Sequence, residues 1–404
     1  MAAGRLRERP LLREVGTPGR PLSSYPSRGL TPERLAAVFR EADQGNVSRQ
    51  AELFQEMEEK DAHLAAVLQT RKLAAAGLAW EVAPAGAGEE DERVAAFVRE
   101  ALRALENWDE ALLDVLDAVG KGFSVLEIIW EVAGGRVLAK RLAWRHQKNF
   151  TFMGRGGRGV LETPRLLTAG EPVQGEELAP NKFVVHRVKA RSGAASRGGI
   201  LRPCAYMYLF KNYTLKDWVV FNERFAQPLR VGKYSPGASE EERRVLRNAV
   251  FNLGTDAAAV ISDQTVIEFL DVAAKSQSAE LYEGLAAFTD RAVSKAVLGQ
   301  TLTTEQAGGA YATAKVHQEV RRDILEADAR ALGRTLTMQL IRPLVEFNFG
   351  PGTPLPHLSF QHEEGEDLKA LAETLSTLRG MGVEIPDSFI RSRFGIPAPE
   401  KGAE

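Results

Sequence analysis

The stretch from Leu201 to Phe225 constrains this chain most. Gly198-Gly199 followed by Pro203 opens a helix predicted to run through about Phe225, because proline is tolerated in a first helical turn, where its missing N–H has no partner to lose. Tyr206, Leu209, Phe210, Tyr213, Trp218, Phe221 and Phe225 are spread around this helix instead of lying along one stripe. A helix that is aromatic on more than one face has to be covered by several neighbours. Core or subunit contact is the default reading of such a helix, ahead of a platform for stacking bases.

Two further helices answer that need. They are predicted over about 277–298 and 310–346, separated by the polar, Gly- and Thr-rich loop Gly299–Gly309. At ~1.5 Å per residue the second is about 50 Å long. It carries Lys315, Arg321, Arg322, Arg330 and Arg334 among acids, and Pro343 interrupts it. Residues 226–276 read as a small α/β insert: a strand Leu229–Tyr234, a helix over about 239–253, and strands Ala258–Ser262 and Val266–Leu270 joined by Asp263-Gln264.

Upstream, residues 1–29 hold six arginines and four prolines, lack helical periodicity and read as a flexible basic arm. Thr31-Pro32-Glu33 starts a helix that Gly45 closes, and apolar residues at three- and four-residue spacing predict one helix over about 48–76, ended by Gly77. The pattern continues with a strand at Leu78–Val82 and helices over about 90–105 and 108–119. A hairpin follows, from Phe123–Val132 and Arg136–Trp144 about Gly134-Gly135, then strands near 150–153, 165–168 and 182–188. A strand at His357–Gln361 and helices over about 366–379 and 386–394 finish the chain. The fold class is α+β, predominantly helical.

Charge is distributed unevenly. The 404 residues carry 52 Lys and Arg against 54 Asp and Glu, a net charge of −2, yet Arg136–Lys216 holds sixteen basic residues and four acids. Leu178–Lys216 has eight basic residues and no acid. Such a block suits a phosphate-facing surface, and it equally suits a face turned to the acidic remainder of the same chain or of a neighbouring subunit. Apolar runs fall far short of the ~20 residues of a membrane span, and the Arg-rich N-terminus lacks the apolar stretch of a secretory signal. A single cysteine, Cys204, allows no intramolecular disulfide and suits a protein made in a reducing cytoplasm.

Catalytic patterns are missing. Neither Gly120-Lys121-Gly122 nor Gly232-Lys233-Tyr234 has Walker A spacing, and the zincin-like start His362-Glu363 meets Glu366 where its second histidine belongs. The six histidines never pair at i, i+4, and no Gly-x-Ser-x-Gly elbow occurs. Cys204 beside Arg202 could hold a thiolate at a helix start, against the commoner state of a small buried apolar group. No cofactor or metal site is predicted, and the chain is not read as an enzyme.

The order long helix, α/β insert, helix, polar loop, longer helix resembles the core of tailed-phage portal proteins, and the chain as a whole is similar to the Mu-type portal family of Mu-like phages and prophages. The match is carried by Leu30-Thr-Pro-Glu-Arg-Leu with the 46–80 helix and Trp80-Glu-Val, Gly122-Phe-Ser-Val-Leu-Glu-Ile-Ile-Trp130, and Gly199-Ile-Leu-Arg-Pro through Phe225. Gly254–Leu270, Val297-Leu-Gly-Gln-Thr-Leu-Thr-Thr304 and Phe394-Gly-Ile-Pro-Ala-Pro399 complete it. The resemblance implies a closed ring, a dodecamer, at the unique vertex of a capsid assembled in the bacterial host cytoplasm. Double-stranded DNA would pass through it during packaging and ejection. Its implied partners are the terminase large subunit, the major capsid or scaffold protein, and head-completion or neck proteins, with no membrane.

By segment, the resemblance implies a wing over 30–200, stem helices at 201–225 and 277–298, a clip over 226–276 and a tunnel loop over 299–309. Residues 310–361 become the tunnel-side helix and its return to the wing, and 362–404 a C-terminal helical tail. The candidate channel residues are then Gln300, Thr301, Thr303, Thr304, Glu305 and Gln306. Arg187, Lys189, Arg191, Arg197, Lys315, Arg321 and Arg322 are candidates to face DNA or a subunit. Arg230, Lys233, Tyr234, Arg243 and Arg244 are candidates for the clip's terminase contact. Two rivals remain: a monomeric or small-oligomer DNA-binding or assembly protein, and a metal-dependent DNA-processing enzyme, for which the sequence lacks an acidic cluster.

Overall fold

The structure, a computed structural model, describes residues 10–16, 26–154, 159–225, 230–252, 258–262, 275–301, 311–361 and 368–396. The chain divides into two compact units, residues 1–360 and 361–404. Among the described residues of the second are α12 (Leu368–Gly380) and α13 (Asp387–Arg393), whose labels follow chain order.

The first unit opens with α1 (Pro32–Asp43), whose Thr31 hydroxyl accepts from the Arg34 amide at 3.3 Å. The helix predicted over 48–76 is two helices, α2 (Ser48–Lys60) and α3 (Ala62–Ala76). Asp61 is the reason: its backbone is extended, and its carboxylate caps α3 by accepting from the His63 and Leu64 amides at 3.1 Å each. Then come β1 (Ala79–Ala83), α4 (Glu89–Arg103), α5 (Trp108–Leu116) and the short α6 (Ala118–Lys121).

β2 (Phe123–Ala133) and β3 (Arg136–Arg145) form the predicted hairpin. Gly134 and Gly135 both take positive φ, +58° and +74°, as a two-residue turn matched to the strand twist requires. β4 (Phe150–Met153), β5 (Val160–Leu166) and β6 (Glu176–Glu177) make a separate antiparallel sheet. The strand predicted at 165–168 lies earlier, because Leu166 pairs with Phe150 and Val160 with Met153. β7 (Phe183–Arg187) joins the free edge of β2, giving the order β3-β2-β7.

After β7 the chain enters α7 (Leu201–Phe225), β8 (Arg230–Tyr234), α8 (Glu240–Asn252), β9 (Ala258–Ser262) and α9 (Lys275–Leu298). β8 and β9 pair in parallel with α8 as the crossover. The strand predicted at Val266–Leu270 lies outside the described residues. The predicted 310–346 helix is α10 (Tyr311–Leu336), a π-helical turn (Thr337–Ile341) and α11 (Arg342–Phe349). Pro343 stands in the first turn of α11, which explains why the path continues past it. β10 (His357–Gln361) pairs with β1.

One apolar core joins α1–α5, the β2–β3 hairpin, α7, α9, α10 and α11, with Trp130 edge-on to Phe347 at 5.3 Å and Phe97 edge-on to Phe349 at 5.2 Å. Both outer edges of the β3-β2-β7 sheet are closed by carboxamides that imitate a neighbouring strand. Asn107 bonds the Leu142 N–H and C=O (3.0 and 2.8 Å), and Asn348 does the same at Val137 (3.0 and 2.8 Å). Gln339, from the π-helical turn, bonds the Val185 N–H and C=O (2.8 and 2.9 Å). An edge occupied in this way is not open to pairing with another chain.

The N-terminal stretch read as a flexible arm needs correction over Pro10–Gly16. The Val15 and Gly16 amides donate to the fully buried Glu127 carboxylate, and Lys182 donates to the Leu11 carbonyl.

Candidate functional site

The site is built on the helix pair α7 and α9, the loop that follows α9, and the lobe between the two helices. Each helix buries one face. On α7 these are Leu201, Cys204, Ala205, Tyr208 and Leu209, and on α9 Val293, Val297 and Leu298. Burial pushes the Cys204 thiol up to about 12, so it behaves as the small apolar group and not as a thiolate.

Polar ties fix the pair to the rest of the unit. Lys211 on α7 reaches Asp61 at 2.9 Å and Asp290 on α9 at 2.6 Å. Burial works against its ammonium, and the two carboxylates outweigh burial, so its pKa stands above the ordinary lysine value. Tyr213 donates its hydroxyl to the Leu30 carbonyl at 2.6 Å, and His63 Nε2 lies 2.7 Å from Ser294 Oγ.

The opposite faces are open. Tyr206, Phe210, Tyr213 and Val219 on α7, with Leu281, Leu285 and Phe288 on α9, are exposed, Leu281 by 74%. Between them runs a groove of about 400 Å³ lined by Met207, Phe210, Tyr213, Tyr282, Leu285 and Phe288. So many aromatic and aliphatic side chains in one patch exceed the scatter of single apolar residues on an ordinary surface.

The loop after α9 leaves from a rigid root. Gly299 has φ of +72°, and a side chain there would meet Val320 Cγ1 at 2.9 Å, so the helix stop takes the one residue that fits. Arg71 on α3 clamps this root: its Nε and Nη2 donate to Asp328 on α10 (2.7 and 3.0 Å), and its Nη1 donates to the Val297 carbonyl (2.9 Å). Gln300, predicted as a channel residue, is buried with 4% exposure and belongs to the root, because the chain turns inward immediately after Gly299. Thr301 is half-buried. Thr303, Thr304, Glu305 and Gln306 lie outside the described residues.

The other candidates separate into three groups. Arg187 is exposed at the end of β7, Lys189 and Arg191 are exposed just after it, and Arg197 reaches Asp43 at 3.7 Å. Partial burial lowers the Arg187 pKa, and Glu162 opposes that shift. On α10, Lys315 lies in the first turns, Arg321 is exposed, and Arg322 pairs with Glu326 at 3.3 Å. In the lobe, Arg230 stands opposite Ala258 in the parallel pair, Lys233 is exposed, the Arg243 guanidinium covers the Tyr234 ring at 4.8 Å, and Arg244 pairs with Glu241.

Much of the positive block is neutralised within the chain. Arg145 and Lys182 meet Glu127, Arg202 meets Asp43 at 2.6 Å, and Lys148 meets Glu52 at 3.5 Å. Arg165 meets Glu177 at 3.1 Å, and Lys211 has its two aspartates. Sequence reasoning missed the Arg71–Asp328 clamp, whose partners are 257 positions apart, and no local signal marks it. Among the described residues no group of three or more His, Cys, Asp or Glu side chains could hold a metal, and no helix is long and apolar enough to cross a membrane.

The same architecture occurs in solved gene transfer agent particles. One chain, from the neck of an empty particle computed with C6 symmetry, aligns with a TM-score of 0.52 at 12% identity, covering 91% of this chain and 95% of that one. Another, from the virion of a native particle, gives 0.51 at 13% identity with the same coverage. The fold is therefore one shared with a chain of these particles. A family described as portal protein of Mu bacteriophage matches residues 51–396. The portal protein of Escherichia phage Mu is 35% identical over 380 residues, 93% of this chain and 72% of that one. The Mu-like prophage FluMu protein gp29 of Haemophilus influenzae (strain Rd) is 34% identical over 391 residues, 95% of this chain and 74% of its own length. The chain belongs to the Mu portal protein family, and it is a phage portal protein, a structural component of the virion.

Proposed function

We propose that this chain assembles into a closed ring of twelve copies at the unique capsid vertex. There it serves as the conduit through which double-stranded DNA is packaged and later ejected, and as the joint between head and tail. The observation that carries this reading is the exposed aromatic and aliphatic face of α7 and α9. In a heterologous ring every copy presents the same two patches to its neighbours, so a face left open in one chain is covered in the assembly. In this reading α7 and α9 are the stem and residues 226–276 the clip. Residues 30–200 form the wing, with the chain after α11 returning to it, and 362–404 are a helical tail.

The loop 299–309 becomes the tunnel loop, with Thr301, Thr303, Thr304, Glu305 and Gln306 toward DNA and Gln300 in its anchor. A polar, weakly charged lining suits a channel in which DNA slides, since each fixed phosphate contact adds salt-dependent affinity. Arg187, Lys189, Arg191, Arg197, Lys315, Arg321 and Arg322 face DNA or a neighbouring subunit. Arg230, Lys233, Tyr234, Arg243 and Arg244 lie on the lobe that meets the terminase large subunit and then the neck proteins. The capsid or scaffold protein contacts the wing, assembly takes place in the host cytoplasm, and ATP hydrolysis is left to the motor, so the chain itself is not an enzyme.

Mass photometry and negative-stain averaging of the purified protein test the ring. A closed ring near twelve protomers with a central hole is expected. A persistent monomer or dimer, also in the presence of capsid and scaffold partners, overturns the reading. Substitutions across Thr301–Gln306 in a packaging assay then test the tunnel loop.

A further inference from the structure

The seat of Pro10–Gly16 is a built binding site that the portal role does not use. Glu127, at the centre of the β3-β2-β7 sheet, is fully buried. One of its oxygens accepts the Val15 amide at 2.6 Å and the other accepts the Gly16 amide at 2.7 Å. Arg145 balances the carboxylate at 2.8 Å and Lys182 at 3.5 Å, and Lys182 also donates to the Leu11 carbonyl at 2.9 Å. The Glu14 carboxylate lies against Arg145, with Arg141 at 3.5 Å. Val15 packs on the small apolar cluster of Phe123, Phe150 and Phe152.

This geometry reads a peptide chiefly through its backbone. Two consecutive N–H groups meet one carboxylate, a carbonyl three residues before the glutamate meets a lysine, and one carboxylate meets two guanidiniums. Without the segment, Arg141, Arg145 and Lys182 against Glu127 leave a cationic pocket, which favours an acidic ligand. The last position admits no side chain: a Cβ on Gly16 would lie 2.7 Å from a Glu127 oxygen and closer still to the Arg145 side chain. The seat therefore selects a segment of the form Glu-apolar-Gly whose last two amides converge on one carboxylate.

We propose that Glu127, Arg145 and Lys182, with Arg141 at the rim, form a peptide socket for such a segment, that Leu11–Gly16 is its resident ligand, and that the same segment of a second copy of this chain can take its place. Every contact in the seat is non-covalent and made by atoms that an identical segment from another molecule would present. Exchange of the segment would tie neighbouring copies together through the sheet, independently of the α7–α9 face.

The test uses full-length chains in which the resident segment cannot seat, Gly16→Val and, separately, Glu14→Lys. The second alters only an exposed side chain, so it reports even where the first folds poorly. Trypsin cleavage after Arg13, followed by mass spectrometry and divided by the rate for the free peptide of the same sequence, is expected to be at least about tenfold faster in either variant than in the wild-type chain, the scale of one lost charge-assisted contact. A fluorescein-labelled peptide of residues 9–18 should then bind both variants saturably. Peptides carrying Glu14→Lys or Gly16→Val should bind at least about tenfold more weakly. Equal cleavage in all three chains, or failure of the wild-type peptide to bind a variant that is folded by circular dichroism, overturns the socket. Ring formation, measured on the same samples by mass photometry, reports separately on the portal reading.

Discussion

Arg71→Met should cost this protein about 3 kcal/mol, and the loss should be felt where the loop after α9 leaves the helix. One guanidinium there makes three hydrogen bonds, two to Asp328 and one to the Val297 carbonyl, and the two side chains are only 13% and 8% exposed. Methionine keeps the apolar stem and removes the charge, leaving Asp328 buried without its counter-ion and Val297 without a donor. Breaking one partner of a buried, hydrogen-bonded ion pair costs ~3–5 kcal/mol, and partial access to water places this pair at the low end. That is about two decades in the unfolding equilibrium. Urea unfolding followed by tryptophan fluorescence should show the lower midpoint with an unchanged slope. The reasoning further requires that Arg71→Met with Asp328→Asn recover at least ~1.5 kcal/mol relative to the sum of the single changes, because the orphaned charge is then gone. A single-mutant loss below ~1 kcal/mol, or strict additivity in the double mutant, would refute the clamp.

Four other outcomes follow from the same structure. Gln339→Ala and Asn348→Ala each delete a pair of hydrogen bonds at opposite sheet edges, so each should lose about 2 kcal/mol, additively, with raised light scattering from the opened edges. Burial, with Lys121 and Lys148 nearby, holds His146 down to about 4, and burial holds His186 down to about 4. Both are neutral in the folded chain and take up protons near pH 6.5 when unfolded, so their contribution is full above that pH and lost as pH falls toward 4. Asp114, pushed up to about 6 mainly by burial, acts in the opposite sense between 3.8 and 6. A net drop of about 2 kcal/mol from pH 7 to pH 5 should appear in urea titrations, and His146→Gln with His186→Gln should abolish it, leaving a rise of about 1 kcal/mol from Asp114. Phe288→Asp, at a side chain 55% exposed, should abolish rings in mass photometry while leaving the circular dichroism of the chain unchanged. Replacing Arg187, Lys189 and Arg191 together by Gln should flatten the salt dependence of DNA binding by up to about 2.7 in log–log slope, whereas Arg165→Gln, already paired with Glu177, should leave it unaltered.

What the sequence made legible was set by local physics. Periodicity and glycine punctuation located the hairpin about Gly134-Gly135 and the long helix after Gly198-Gly199, because turn sterics and helix registry are decided within a few residues. The same reasoning joined α2 to α3, since an apolar pattern that survives a one-residue break hides it. Only the Asp61 carboxylate, drawn to two amides and to Lys211, shows where the chain bends. Parallel pairing of β8 with β9 was not legible either, because an antiparallel neighbour at short range fits the same strand pattern. For the site, the exposed aromatics of α7 stood out as a helix with too many apolar faces. The inward turn of Gln300 depended on Val320 and Ile324 beneath Gly299, some twenty residues further along the chain.

The charge block shows why composition alone misleads about DNA. Sixteen cations in one stretch suggest a deep phosphate trap, and a trap would hinder a conduit, because every fixed phosphate contact steepens the affinity that sliding must overcome. Folding eases that conflict by spending much of the block on structure. Arg145 and Lys182 become the counter-ions of a buried glutamate, Arg202 ties α7 to Asp43 at the end of α1, and Lys211 ties α7 to α9 and to the cap of α3. Among the residues left on the surface is the short run Arg187, Lys189, Arg191. A run of that length can steer a polyanion without capturing it, and the cations paired inside the chain hold its own sheets and helices together instead.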